Sequence, residues 1–98
     1  MSDRERFDEA LAALLAAGGN LRCNDLARTL RGLGFDVRDG KKVGHKVVTH
    51  PGIARFSTAG YTCGHGKNPE IKPVYVKKMI DVLRDYESDL VSFLRESP

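Results

Sequence analysis

The stretch that decides the fold is Leu33-Gly34-Phe35-Asp36-Val37-Arg38-Asp39-Gly40-Lys41-Lys42-Val43-Gly44-His45-Lys46-Val47-Val48. Gly34 ends a helix whose apolar stripe is Leu26, Leu30 and Leu33. Phe35 to Arg38 alternates apolar and polar residues, as a half-buried strand does. Asp39-Gly40 is a hairpin signal. Lys42 to His50 then reads as a second strand, rich in the β-branched residues Val43, Val47, Val48 and Thr49. Adjacent Val47 and Val48 leave open which face of that strand His45 occupies.

Working outward, Ser2 and Glu5 form a capping-box pattern ahead of a first helix. Phe7, Leu11, Leu14 and Leu15 recur at helical spacing there, and Gly18-Gly19 is the expected stop. Asn20 or Asn24 is the expected cap of the second helix. On the other side, Pro51-Gly52 breaks the second strand. A third strand is expected between Ile53 and Cys63, centred on Gly60 to Cys63, with a loop from Cys63 to Pro69. Pro73 suits a first helical turn. Val76, Met79, Ile80, Leu83, Tyr86, Leu90, Phe93 and Leu94 then keep helical spacing, in one long helix or in two joined near Tyr86 to Asp89, with Ser97-Pro98 as a tail.

The expectation is an α+β domain over residues 1–98. Its three antiparallel strands carry helices on one face, and the opposite face is left to a covering element or a ligand. No run of residues is long and apolar enough to cross a membrane, and the charged start carries no secretory signal, so a cytoplasmic location is expected. Cys23 and Cys63 fit that setting as two free thiols, with a single bridge as the alternative.

Charge is unevenly placed. Between Arg22 and Lys78, twelve Lys and Arg stand against four acids, a net of +8, while the remainder of the chain carries −5. A basic middle between acidic ends reads as a polyanion-binding face or as an uneven solvated surface. Histidine both accepts and donates a proton near neutral pH, and His45 lies within the basic stretch. Metal-free RNA cleavage needs such a group, together with positive charge at the phosphate. Lys41, Lys42 and Lys46 are candidates for that charge, as are Lys77 and Lys78 near the start of the last helix. His65 is either an ordinary loop residue or a helper in binding, and His50 reads as structural. Cys63-Gly64-His65 with His45 and His50 offers zinc-type donors, but the spacing matches no standard finger. Tyr61 and Phe56 are base-stacking candidates or core residues.

The run Leu26-Ala27-Arg28-Thr29-Leu30-Arg31-Gly32-Leu33-Gly34-Phe35 is followed by the basic turn and by Gly44-His45-Lys46-Val47-Val48-Thr49-His50-Pro51. Together these resemble the HicA-type toxins, small mRNA interferases of bacterial toxin–antitoxin pairs. Tyr61-Thr62-Cys63-Gly64-His65-Gly66 and Ile71-Lys72-Pro73-Val74-Tyr75-Val76-Lys77-Lys78-Met79-Ile80 extend the resemblance over about residues 21–84. Residues 1–19 would then be an additional N-terminal helix, and 85–98 a C-terminal helical extension. Where the family carries Gly-Ser-His, this chain has Gly44 directly beside His45. The resemblance implies a fold like a double-stranded-RNA-binding domain (dsRBD-like), with order α-β-β-β-α. It implies an endoribonuclease centred on His45, without cofactor or metal, that acts on mRNA. It also implies a HicB-type antitoxin as partner. The displaced serine keeps open a second reading, a module of the same fold that binds RNA without cutting it.

Overall fold

The computed structural model describes residues 2–17 and 20–96. The expected helix stop at Gly18-Gly19 and the Ser97-Pro98 tail lie outside the described residues. The elements are α1 (Asp3–Ala17), α2 (Cys23–Gly32), β1 (Asp36–Asp39), β2 (His45–Thr49), β3 (Ala59–Thr62), α3 (Pro73–Asp85) and α4 (Glu87–Glu96). The protein is thus a small α+β fold with four helices and one three-stranded antiparallel sheet, in the order β1-β2-β3.

The caps follow local chemistry in part. The Ser2 hydroxyl accepts the Glu5 N–H at 3.1 Å and donates to the Glu5 carboxylate, so Ser2 caps α1 with its side chain and holds Glu5 beside it. Neither asparagine caps α2 with its side chain. Arg22 is the N-cap, and the Asn24 N–H donates instead to Asn68 Oδ1 at 3.0 Å, a partner forty-four residues away. The final apolar pattern is two helices. Tyr86, at φ −112° and ψ 21°, breaks the turn between α3 and α4.

Register settles the question left by Val47-Val48. Val37 pairs with Val48, and Lys46 with Tyr61. Val37, Val48 and Tyr61 are buried beneath the helices, so Lys46 shares the helix side with them. Asp36, Arg38, His45, Val47, Thr49, Gly60 and Thr62 therefore share the opposite face, and none of them is fully buried.

The terminal helices belong to this core. Phe7 and Leu14 of α1 are 0% and 1% exposed, and Leu90 of α4 is 0% exposed. Leu15, expected on the buried stripe, is instead exposed. Arg4 of α1 pairs with Glu87 of α4 at 2.6 Å. Tyr61 and Phe56 are core residues, which answers the stacking alternative for both. Phe56 sits edge-on to Phe35 and Tyr86.

The two cysteines are joined, not free. Cys23 opens α2 and Cys63 follows β3, with Cα atoms 5.8 Å apart. The bridge closes a loop of sequence separation 40. A link of that span stabilises by about 4 kcal/mol in the chain-entropy account. The argument from cysteines to a reducing compartment therefore falls away. No helix is long and apolar enough to cross a membrane among the described residues.

Candidate nucleic-acid interface

His45 begins β2 because the turn before it closes on backbone bonds. The Gly40 N–H donates to the His45 carbonyl at 2.8 Å, and the His45 N–H donates to the Lys42 carbonyl at 3.1 Å. Gly44 is held at φ +82°, and a Cβ there would lie 2.5 Å from the Cys63 carbonyl oxygen. Only glycine meets both demands without strain. The glycine beside the histidine thus has a structural cause. Its own carbonyl accepts the Cys63 N–H at 2.8 Å, which ties the start of β2 to the disulfide.

The imidazole of His45 lies on the open face between two residues that lack side chains. A Cβ on Gly40 would stand 2.5 Å from His45 Cδ2, and one on Gly60 would stand 3.2 Å from Cε1. Neither ring nitrogen of His45 has a hydrogen-bond partner among the described residues, so both are free to meet a ligand. On one side, a groove of about 890 Å³ is lined by Arg38, Asp39, Gly40, Lys41, Lys42, His45, Val47 and Thr62. On the other side, a groove of about 410 Å³ shares His45, Val47 and Thr62 and adds Tyr75 and Lys78 of α3. Tyr75 and Lys78 are three residues apart and so lie on one face of that helix.

Ion pairing sorts the cations. Arg22, Arg28, Arg55 and Lys77 lie within 4.0 Å of Glu70, Asp25, Asp89 and Asp81. Arg6, Arg31, Lys67, Lys72 and Arg84 lack an acidic partner among the described residues but line neither groove; Arg38, Lys41, Lys42 and Lys78 lack one and line the grooves. These four flank His45. The one acid lining the larger groove, Asp39, is bonded to Lys46. That hydrogen bond and the charge of Lys46 hold the Asp39 carboxyl below its usual range. Asp39 is therefore a carboxylate anchored to its neighbour, not a proton donor.

The sequence-derived candidates thus separate. His45, Lys41, Lys42 and Lys78 come together. Lys46 does not join them: strand parity sends it to the helix side, where it pairs with Asp39. Lys77 lines neither groove and pairs with Asp81 at 3.5 Å. His65 is exposed in the loop after Cys63 and also lines neither groove. His50 is 5% exposed and satisfied at both nitrogens. Its Nδ1 accepts the Gly52 N–H at 3.1 Å, so Nε2 carries the proton and donates to the Leu33 carbonyl at 3.0 Å. With Cys63 in a disulfide, the zinc-type donor set is broken up. No group of three or more His, Cys, Asp or Glu placed to hold a metal occurs among the described residues.

Sequence reasoning missed Arg38, Thr62 and Tyr75. Arg38 and Thr62 needed the register, which pairs Arg38 with Val47 and Thr62 with His45. No protein-family model, curated protein or solved structure matches this chain.

Proposed function

We propose that the chain is a metal-independent endoribonuclease of the HicA type, the toxin of a toxin–antitoxin pair, with a dsRBD-like core running from α2 to α3. One observation carries the reading: four cations without acidic partners among the described residues flank a histidine whose ring nitrogens find no partner there either. Cations of one sign clustered around an unsatisfied ring raise the local potential, and that is where an anionic ligand gains most. Arg38, Lys41 and Lys42 hold the phosphate backbone on one side of His45, and Lys78 holds it on the other. The neutral imidazole of His45 takes the proton of a ribose 2′-hydroxyl. The 2′ oxygen then bonds to phosphorus, and the bond from phosphorus to the 5′ oxygen breaks. The leaving oxygen takes a proton from water. The products are a 2′,3′-cyclic phosphate and a 5′-hydroxyl. The cations stabilise the charge that builds on the phosphorane.

In this reading the protein acts on mRNA in the cytoplasm, and a HicB-type antitoxin silences it by covering the open face. A second reading has its own support. With Asp39 held by Lys46, the larger groove offers one imidazole and, among its described lining residues, no second imidazole and no unpaired carboxylate. A module that grips RNA without cutting it fits that arrangement. Expression of the wild type and of His45→Ala in bacteria, matched for level, separates the two. Growth arrest with broken mRNA in the wild type alone is the expected result. Equal growth with intact RNA in both removes the nuclease and leaves the binding module.

A further inference from the structure

Seven aromatic side chains occur in the chain, and the structure employs six of them internally. Phe35, Phe56, Tyr86 and Phe93 form an edge-to-face cluster together with His50. Phe7 and Tyr61 are fully buried. Tyr75 differs from all of these. It is half-buried on α3 with part of its surface against the core, makes no ring contact with another aromatic, and has no hydrogen-bond partner for its hydroxyl among the described residues. Its position is the rim of the smaller groove beside β3, with Lys78 one turn further on and His45 across the strand.

The floor between Tyr75 and His45 is unusually clear. Gly60 faces the same side of β3 as Thr62 and presents no side chain. His45, Val47 and Thr62 line both grooves, so the two share one surface across the sheet. A cationic end (Arg38, Lys41, Lys42), an imidazole ring, a strand bare at Gly60, a half-buried aromatic ring and a further cation thus follow one another in space.

We propose that the groove beside β3 is a nucleotide subsite, in which Tyr75 stacks against one base and Lys78 binds the adjoining phosphate. This assignment rests on the reading of the open face as an RNA surface and adds a direction to it. The strand crosses the sheet from the β1–β2 turn over His45 and Gly60 to α3. Stacking needs an unpaired base, because a base held in a duplex hides its faces. The subsite therefore selects a splayed single strand at one nucleotide beside His45. Tyr75 is a positioning residue: it fixes the base next to the phosphate that His45 meets.

The test is binding of a fluorescein-labelled single-stranded RNA hexamer, 2′-O-methylated so that it resists cleavage, read by anisotropy. A set of hexamers carries one abasic site at each position in turn. For the wild type, one abasic position is expected to weaken binding by about tenfold, the size of one base–aromatic stack, and the others by much less. Tyr75→Leu is expected to lose about the same factor on the intact hexamer and to be indifferent to the abasic site. Tyr75→Phe is expected to keep wild-type binding. Lys78→Ala is expected to weaken all hexamers alike and to flatten the dependence on salt.

The outcomes are distinct. If the wild type binds but every abasic position costs the same, there is no stacking subsite, and the RNA surface survives without it. If Tyr75→Leu, shown by its melting curve to be folded, binds as the wild type does, the assignment to Tyr75 fails. Should Tyr75→Leu not fold, Tyr75→Trp supplies the only tryptophan of the chain: quenching of its fluorescence by the intact hexamer but not by the hexamer abasic at the sensitive position is expected, and equal quenching by both overturns the assignment. If the wild type binds no hexamer, while a protein partner is captured by the same face, the RNA reading fails and takes the subsite with it.

Discussion

His45 and His50 bracket the same strand, five residues apart, and the structure treats them in opposite ways. His50 lies on the helix side, pinned between Phe35 and Phe93 with both nitrogens bonded to backbone. His45 lies on the open face with neither nitrogen bonded, between glycines that clear space around it. The same contrast runs along the sheet. The helix side pairs its charged groups, as Lys46 and Asp39 show, and leaves the Tyr61 hydroxyl as its one buried side-chain polar atom without a partner among the described residues. The open face leaves Arg38, Lys41 and Lys42 without acidic partners among the described residues. One surface of the sheet is built for stability and the other is left available for a ligand.

The sharpest way to break this comparison is on the buried side. His50→Ala removes a ring from between two aromatics and strands the Leu33 carbonyl and the Gly52 N–H. A loss of about 3 kcal/mol in a urea unfolding experiment is expected. RNA binding should stay unchanged wherever the variant is folded. Weaker RNA binding by folded His50→Ala would mean that the two faces are not independent.

The open face should behave in reverse. The double variant Lys41→Ala, Lys42→Ala is expected to lie within about 0.5 kcal/mol of wild-type stability, as surface changes do. The slope of log affinity against log salt for single-stranded RNA should shrink by about 1.4, one phosphate contact for each lysine. An unchanged slope would place the phosphates elsewhere.

The smallest effect concerns Tyr61. Its hydroxyl is buried with no hydrogen-bond partner among the described residues. Burial pushes that hydroxyl up to about 12 from an ordinary 10.0. The folded protein holds the proton more tightly than the unfolded chain does. The stability tied to it is full below about pH 10 and is lost as pH climbs toward 12. Tyr61→Phe is expected to gain about 1 kcal/mol at neutral pH, since an unpaired buried group disappears. It should also lose less stability than the wild type between about pH 10 and pH 12. A Tyr61→Phe variant less stable at neutral pH would show that the hydroxyl has a partner.

The sequence carries this division only in part. The hairpin, the third strand and the final helices were legible because their apolar periods differ and glycine or proline marks most of the breaks. His45 stood out because lysines surround it. What periodicity does not supply is strand parity, since Val47 and Val48 fit either face. Lys46 therefore looked equivalent to Lys41 and Lys42, and Arg38 went unnoticed. Tyr75 was hidden for a related reason. It sits one residue before Val76 on a helix whose buried stripe is Val76, Met79, Ile80 and Leu83, so it passes for a flank of the core. The disulfide depends on bringing Cys23 and Cys63 together, which only the paired sheet and the loop after it accomplish.

The most direct test of the nuclease reading is the cleavage rate of a 5′-labelled RNA by the purified protein in the presence of a metal chelator, wild type against His45→Ala. The account predicts cyclic-phosphate ends from the wild type, a rate about 10²–10⁴-fold lower for the variant, and matching melting curves for the two. Equal rates for both proteins, or no cleavage by a folded wild type, would contradict it.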